Sequence, residues 1–247
     1  MRIALIADVH GNREAFDAVL AAIARENVER IALLGDLVGY GADPGYCVTR
    51  AADLVEHGAI AVRGNHDEAA ASGEAGDFND YAREAIGWTR AALDAGQRAF
   101  LAGLPLTHSD GDRLYVHASA AAPGAWTYVD CVEAAEDAFA ACAHRVILCG
   151  HHHQPAVYCQ APDHAPLSFT PATNAPIPLL ARRRWLAVLG GCGQPRDQNP
   201  HAPYAILDEA TRSLCFRRAP YDVEAAARKI KDAGLPQMLA ARLFVGR

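Results

Sequence analysis

The sequence predicts an α/β fold, and two patterns support this. Short apolar segments alternate with longer segments whose apolar residues recur at helical spacing, and the apolar segments end in polar residues. Strands that alternate with helices are typical of a largely parallel sheet with helices packed on its faces. No linker or low-complexity segment divides the 247 residues, so we expect one domain over residues 1–247.

Three strand–helix units are predicted in the first half of the chain. Residues 3–8 form an apolar strand, and Asn12 is placed to cap the helix that follows it. Residues 30–36 form a second strand before another helical segment, and residues 59–67 form a third strand. A helical stretch from 79 to about 104 completes this half.

The second half begins in the same way and then changes character. Residues 113–119 and 145–151 are predicted strands, with a helix from about 129 to 143 between them. Prolines then break the chain into short apolar segments, and residues 204–216 read as a hairpin, so this part is predicted to form antiparallel strands. The tail, residues 222–247, has helical spacing and is expected to dock on the body.

Composition argues against several classes of partner. The formal net charge of -6 and the pI of about 6.0 provide no basic surface of the kind that nucleic-acid-binding proteins use. The first apolar run is too short for a secretory signal, and no segment reaches the ~18 apolar residues that span a membrane. The seven cysteines form no C-x-x-C pair. We therefore expect a cytoplasmic protein with reduced thiols and no membrane partner, and a homo-oligomer is left open.

Side chains of the metal-binding type follow all five of these predicted strands. They are Asp8 and His10, Asp36, Asn65 and His66, His117, and His151 and His153. One such residue would be explained most simply as a turn, a helix cap or a hydrogen-bonded structural group. Because ligands bind at the carboxyl ends of strands in α/β sheets, the repetition at five strand ends predicts a shared metal site instead.

The spacing of these residues predicts which of them face the site. The outer members of residues 8–10 and of residues 151–153 lie two apart, so in extended backbone they point to one side and His152 points away. The carboxylate of Asp36 has enough lone pairs to bridge two ions. Oxygen and imidazole ligands without thiolate suit two divalent transition-metal ions, chosen among Mn²⁺, Fe, Zn²⁺, Co²⁺ and Ni²⁺.

Five motifs carry a family resemblance: D-V-H-G-N, L-L-G-D, G-N-H-D, V-H-A-S and G-H-H-H, in this order. Together they resemble the signature blocks of the calcineurin-like metallophosphoesterase superfamily. The segments G-D-L-V-G-Y-G-A-D-P, F-N-D-Y-A-R-E-A-I-G-W-T and G-Q-P-R-D are similar to a bacterial and archaeal phosphodiesterase-like subgroup, related to diadenosine tetraphosphatases. The resemblance covers nearly the whole chain. It implies a four-layer α/β/β/α sandwich with a dinuclear metal site at the carboxyl ends of the strands.

The resemblance also implies roles for individual residues. One metal would take Asp8, His10, Asp36 and His153, and the other would take Asp36, Asn65, His117 and His151. His66 would be the catalytic general acid, with Asp67 as the residue that orients it. The implied activity is that of a metal-dependent phosphoesterase, in particular a phosphodiesterase that cleaves a P–O bond of a small phosphorylated substrate with a hydroxide held by two metals.

Several alternatives stay open at this point. A dinucleoside-polyphosphate hydrolase and a serine/threonine protein phosphatase are variants of the same chemistry, and a nuclease is disfavoured by the net charge. A non-catalytic binding scaffold is a different class, but the intact G-N-H-D motif favours an enzyme. Residues 188–192 read V-L-G-G-C where similar proteins commonly have N-P-G-S-V, which leaves substrate preference open. No substrate-binding residue is identified.

Overall fold

The computed structural model describes residues 1–76 and 78–247, and their strands form two mixed six-stranded sheets. In chain order the strands are β1 Arg2–Ile6, β2 Arg30–Leu34, β3 Ile60–Val62, β4 Thr107–Asp110, β5 Arg113–Val116, β6 Val146–His153, β7 Ala156–Gln160, β8 Leu167–Phe169, β9 Pro176–Pro178, β10 Arg184–Gly190, β11 Ala202–Asp208 and β12 Ser213–Ala219. The α-helices are α1 Arg13–Ile23, α2 Pro44–Glu56, α3 Asn65–Ser72, α4 Asp80–Ala92, α5 Ala95–Gly103, α6 Val132–Ala140, α7 Val223–Asp232 and α8 Gln237–Val245. The first sheet has the order β3-β2-β1-β11-β12-β9, and the second has the order β4-β5-β6-β10-β7-β8.

The two sheets pack face to face, and helices cover their outer faces. Leu5 of the first sheet and Leu148 of the second belong to one buried cluster between the sheets. Phe16 of α1 is buried on the outer side of the first sheet, and Phe139 of α6 on the outer side of the second. Burial of one such side chain contributes about 1.5 to 3 kcal/mol. The predicted four-layer α/β/β/α sandwich is confirmed.

Parallel pairing brings the predicted strand ends to one edge. Strands β1, β2 and β3 run parallel in the first sheet, as do β5, β6 and β10 in the second. A parallel bridge between Ala7 and Gly191 joins the two sheets where β1 and β10 end. The carboxyl ends of both parallel sets therefore open into the same crevice, which is where α/β proteins bind ligands.

Local signals account for the elements on each side of this edge. Asn12 caps α1 as predicted, because its side chain accepts a hydrogen bond from the backbone N–H of Ala15 at 3.1 Å. The predicted hairpin is formed by β11 and β12, with Asp208 opposite Ser213 at its turn. The tail forms α7 and α8, which bury Ile230 and Leu239 against the body. Among the helices of the described residues, none is long and apolar enough to cross a membrane.

The third strand is shorter than predicted. It ends at Val62, because Asn65 begins α3 rather than continuing the strand. The carboxylate of Asp67 accepts the backbone N–H of Gly64 at 3.0 Å and so closes the first turn of this helix. The motif G-N-H-D thus lies at a helix N-terminus, and not in an extended segment.

The predicted helix from 79 to 104 is two helices. Asp94 lies between α4 and α5, and its side chain accepts the backbone N–H of Gln97 at 2.8 Å. The side chain of Gln97 accepts the backbone N–H of Asp94 in return, at 3.1 Å. This reciprocal pair is a capping box, so the sequence D-A-G-Q holds the signal for the break.

Candidate metal centre

The structure brings all seven predicted metal-ligand residues into one buried cluster. Their ring nitrogens and carboxylate oxygens form overlapping groups whose atoms lie within 4.8 Å of one another: Asp8, His10 and His153; His10, Asp36 and His66; and Asp36, His117 and His151. Asn65 completes the set, with its Oδ1 3.2 Å from Nε2 of His117. The assignment of these residues to two ions stays a prediction.

The backbone at these ligands differs from the prediction. Five of them have left-handed φ values: Asp8 (56°), His10 (51°), Asp36 (52°), His151 (67°) and His153 (63°). The side chains therefore converge from residues with left-handed backbone, and the plain alternation of a fully extended strand is not what directs them. A non-glycine residue in this region costs about 1 to 2 kcal/mol, and such strain is typical of functional sites.

His10 and His153 face each other through one nitrogen and are anchored through the other. Nδ1 of His10 donates to the carbonyl oxygen of Val38 at 3.1 Å, and Nδ1 of His153 donates to that of Gln194 at 2.6 Å. Their Nε2 atoms are 3.0 Å apart. Because a carbonyl oxygen only accepts, each neutral ring carries its proton on the anchored nitrogen.

His117 and His151 repeat this arrangement. Nδ1 of His117 donates to the carbonyl oxygen of Leu34 at 2.7 Å, and Nε2 of His151 donates to that of Trp126 at 2.8 Å. The remaining nitrogens, Nε2 of His117 and Nδ1 of His151, are 3.1 Å apart. Two facing lone pairs repel unless a proton or a metal cation lies between or beside them, and rings anchored in this way fit divalent metal ions.

Asp36 lies between the two histidine pairs. Its Oδ2 is 3.3 Å from Nε2 of His117 and 3.6 Å from Nε2 of His10, while its Oδ1 accepts the backbone N–H of His66 at 2.9 Å. Burial alone would raise the pKa of Asp36, but His117 and His66 outweigh this and hold the pKa well below its usual range. The carboxylate is therefore ionised and placed to serve both pairs.

The second carboxylate belongs to the His153 side. Oδ1 of Asp8 is 3.4 Å from Nε2 of His153, and its Oδ2 accepts the backbone N–H of His151 at 3.0 Å. Burial would raise the pKa of Asp8, but His153 outweighs it and the pKa is lowered.

Protonation differs among the histidines of the cluster. Burial lowers the pKa of His151 to about 3 and of His10 well below its usual range. Burial would lower the pKa of His117 too, but the adjacent Asp36 raises it to about 9. Without a metal, His117 is therefore protonated near pH 7, because the adjacent carboxylate of Asp36 stabilises its charged form.

Glycines let the backbone approach these groups. A Cβ atom at Gly64 would overlap the carboxylate of Asp36. At Gly39, where φ is +135°, a Cβ atom would come within 2.7 Å of Nδ1 of His66 and 2.8 Å of Nδ1 of His10. The glycines of the motifs G-N-H-D and G-D-L-V-G-Y-G are thus part of the site.

His66 lies at the N-terminus of α3, and its ring packs against three other rings. It stacks on Phe78 with centroids 4.5 Å apart and meets Tyr40 and His10 edge-on at 4.6 and 4.8 Å. Its buried Nδ1 has no hydrogen-bond partner among the described residues. Burial lowers the pKa of His66 to about 4, despite the nearby Asp36.

Asp67 makes no hydrogen bond to the ring of His66 among the described residues, and its predicted orienting role stays a prediction. Its Oδ1 accepts the backbone N–H groups of Leu37 and Val38 at 2.8 and 3.3 Å, and its Oδ2 accepts that of Gly64. Burial raises the pKa of Asp67 to about 7. The carboxylate therefore links the loop after β2 to the start of α3, and the direct contacts of the His66 ring are with Phe78, Tyr40 and His10.

Sequence reasoning missed Arg196, the arginine of G-Q-P-R-D. It lines a cavity of about 110 Å³ that also exposes Asp36, His66 and His153. Its Nη2 donates to Oε1 of Gln194 at 3.0 Å, its buried Nε has no hydrogen-bond partner, and no described carboxylate pairs with it. The motif was visible in the sequence, but nothing there placed it beside the metal cluster.

Residues 188–192, which differ from the subgroup pattern, are packed against the ligand cluster at His153. Val188, Leu189 and Cys192 are buried, and a Cβ atom at Gly191 would come within 2.5 Å of Nδ1 of His153. None of these residues lines the cavity that contains Arg196. The altered loop therefore acts on the packing of His153.

His152 takes no part in the three ligand groups. It is partly exposed, and Tyr128 meets its ring edge-on at 5.8 Å.

Comparisons with known proteins agree with this geometry. Residues 1–212 match the family model of the calcineurin-like phosphoesterase superfamily domain. An uncharacterized protein of Methanocaldococcus jannaschii is 34% identical over 250 residues, covering 99% of this chain and 98% of that protein. The crystal structure of a metallophosphoesterase from Sphaerobacter thermophilus is 34% identical, with a TM-score of 0.88 and coverage of 100% of this chain and 99% of that one. A hypothetical protein from Pyrococcus horikoshii, 18% identical with a TM-score of 0.80 over 100% and 98% of the two chains, shares the fold.

Proposed function

The chain belongs to the calcineurin-like phosphoesterase superfamily, a family of metal-dependent hydrolases acting on ester bonds, and on this premise we propose that it is a phosphodiesterase. The proposed substrate is a small phosphorylated molecule, and the bond cleaved is a P–O bond. The observation that supports this most is the cluster of four anchored histidines around the shared carboxylate of Asp36.

Two divalent ions would be held by two sets of residues that have Asp36 in common. One set is Asp8, His10, Asp36 and His153, and the other is Asp36, Asn65, His117 and His151. When bound, such ions neutralise phosphoryl oxygens and activate water for in-line attack. The backbone carbonyl partners fix each ring, so the ligands need no reorganisation when metal enters.

His66 is the proposed general acid for the leaving group. It lines the same cavity as Asp36 and Arg196 and is not anchored to a backbone carbonyl as the ligand histidines are. Burial lowers its pKa to about 4, so the proposed role requires that substrate binding favours the protonated ring. A phosphoryl anion beside the ring favours the protonated form and supplies that coupling.

Arg196 is the proposed clamp for the phosphoryl group. Arg196 is half-buried and has no carboxylate partner among the described residues, and the planar fork of its guanidinium suits phosphate oxygens. The same charge opposes protonation of His153 and His66 while the site is empty. An incoming phosphoryl group would therefore relieve this repulsion as it binds.

A substrate panel with added Mn²⁺ tests the proposal. It compares bis(4-nitrophenyl) phosphate, 4-nitrophenyl phosphate, a dinucleoside tetraphosphate and a phosphopeptide. We expect the diester to give the highest kcat/KM. Preference for the tetraphosphate or the phosphopeptide would replace the proposal by one of the alternative activities, and no turnover on any member would favour the non-catalytic scaffold.

His66→Gln is the matched variant for this panel. It should lower kcat at least about tenfold while metal content stays unchanged, since general acid catalysis typically contributes 10² to 10⁴ in rate. His57→Gln, at an exposed histidine that follows α2, serves as the control and should change neither. Unchanged turnover of His66→Gln would remove His66 from the mechanism.

A further inference from the structure

A larger cavity opens directly beside the metal cluster. Its volume is about 530 Å³, within the range of small-molecule sites. It shares four lining residues with the smaller cavity that contains Arg196: Asn65, Phe78, Tyr128 and His151. The two cavities are therefore adjacent, and the larger one lies within reach of a molecule whose phosphoryl group is at the metal ligands.

Aromatic rings line this cavity, and the site histidines hold them in place. Tyr128 stacks on His151 with centroids 4.3 Å apart and planes at 12°, yet 44% of it stays exposed. Phe78 stacks on His66, and Trp126 meets His117 edge-on at 5.9 Å. Because Tyr128 keeps this exposure while it stacks on His151, it retains ring surface against which a planar ligand can pack.

The charges around the cavity disfavour a second phosphate. Glu68 and Glu74 are the charged side chains among its described lining residues, and no lysine or arginine is among them. Nε of Arg63 lies 3.6 Å from Oε2 of Glu68. The carboxylate of Glu74 has no ion-pair partner among the described residues. Carboxylates repel phosphates and accept hydrogen bonds, so they favour an uncharged ligand that carries N–H donors.

We propose that this cavity binds the nucleobase of a nucleotide phosphodiester, stacked on the rings of Tyr128 and Trp126, with an exocyclic amino group directed to Glu74. This inference rests on the proposed phosphodiesterase function and adds the class of substrate. Adenine, guanine and cytosine have such an amino group, whereas uracil and thymine do not. A dinucleoside polyphosphate is disfavoured, because its additional phosphates would meet two carboxylates on leaving the metal ligands.

Nucleoside binding tests the cavity without catalysis. Adenosine, cytidine and uridine are titrated into the full-length protein, and binding is followed by saturation-transfer NMR and calorimetry. We expect adenosine and cytidine to bind more tightly than uridine, and Tyr128→Ala to weaken adenosine binding at least about fivefold, in line with the contribution of one stacked base. Tyr81→Ala, at an aromatic residue of α4 that does not line the cavity, is the matched control. Equal binding of the three nucleosides, or none, would overturn the proposal.

Kinetics then separate the two proposals. The kcat/KM for adenosine 5′-(4-nitrophenyl phosphate) should exceed that for methyl 4-nitrophenyl phosphate at least about tenfold, and Trp126→Ala should reduce this ratio. Glu74→Gln should lower the preference for adenosine over uridine esters. A ratio of one would overturn the nucleobase site and leave the phosphodiesterase standing. If neither ester is hydrolysed, the phosphodiesterase fails, and the nucleoside titration alone decides whether the cavity binds a base.

Discussion

The two halves of the metal cluster are built alike but differ in protonation. The inner half, Asp8, His10 and His153, borders Tyr40 and Arg196. The outer half, Asn65, His117 and His151, borders the aromatic cavity with its two glutamates. Both halves face Asp36.

The difference arises from what surrounds each imidazole. Burial lowers the pKa of His10 and His153, and Arg196 opposes their protonation further. His117 has Asp36 at 3.3 Å, and its pKa rises to about 9. The two imidazoles of the inner half are therefore neutral beside the ionised Asp8, whereas His117 of the outer half carries a proton that a metal must displace.

The largest effect is expected at the residue that both halves share. Asp36→Asn removes the charge that serves both halves, so we expect it to lose both metals and to lower kcat/KM by at least about a hundredfold. Metal content measured by elemental analysis, together with the diester assay, checks this. Two ions retained at wild-type affinity would show that Asp36 is not shared.

Substitutions within one half should remove one ion. His153→Ala should empty the inner half and His151→Ala the outer half, each leaving about one ion per chain because the other ligand set is intact. His152→Ala is the matched control, since His152 lies outside the ligand groups, and it should keep both ions. Loss of a metal in His152→Ala would contradict the geometry of the segment.

Arg196 should affect substrate rather than metal. Arg196→Met is expected to raise KM at least about tenfold, because a hydrogen bond to a charged group contributes about 1.5 to 3 kcal/mol. Metal content should stay at the wild-type value. Arg182→Met, at an exposed arginine, controls for the loss of a positive charge. A wild-type KM would exclude Arg196 as the phosphoryl clamp.

A further difference between the halves is the pH dependence of metal uptake. Because His117 must lose its proton, Mn²⁺ affinity of the outer half should rise about tenfold per pH unit until the pH passes about 9, and then level off. The inner half should change little over the same range. Calorimetry with His153→Ala and His151→Ala isolates the two halves, and equal pH slopes would remove the distinction between them.

The His117–Asp36 pair also makes the stability of the metal-free fold depend on pH. The pKa of His117 is raised from 6.5 to about 9, so its bond to Asp36 stabilises the metal-free fold fully below about pH 6.5. This contribution is lost as the pH rises through about 9. Chemical denaturation of metal-free protein at pH 6 and pH 10 measures it.

The sequence predicted the ligand cluster well because strand ends have simple geometry. Polar residues after parallel strands meet at one edge of the sheet regardless of loop conformation. The positions of Asp8, Asp36 and His117 could therefore be predicted from the sequence alone. The left-handed backbone at His151 and His153 was not predicted, because no local sequence pattern specifies a positive φ at a histidine within a strand. The roles of these ligands stay predictions, although their positions fit.

Other parts of the site depend on contacts that no local pattern encodes. Asp67 was predicted to orient His66, yet its carboxylate holds backbone groups of Leu37 and Val38. Arg196 and Tyr128 reach the cluster from loops far along the chain, which only the fold brings together. The break between α4 and α5 at Asp94 is different, because the capping box that causes it can be recognised in the local sequence.

The most direct test is the anomalous scattering of Mn²⁺ in crystals of the wild-type protein. The account predicts two peaks on either side of the Asp36 carboxylate, one contacted by Asp8, His10 and His153 and the other by Asn65, His117 and His151. A single peak, or peaks away from these side chains, would contradict the dinuclear centre.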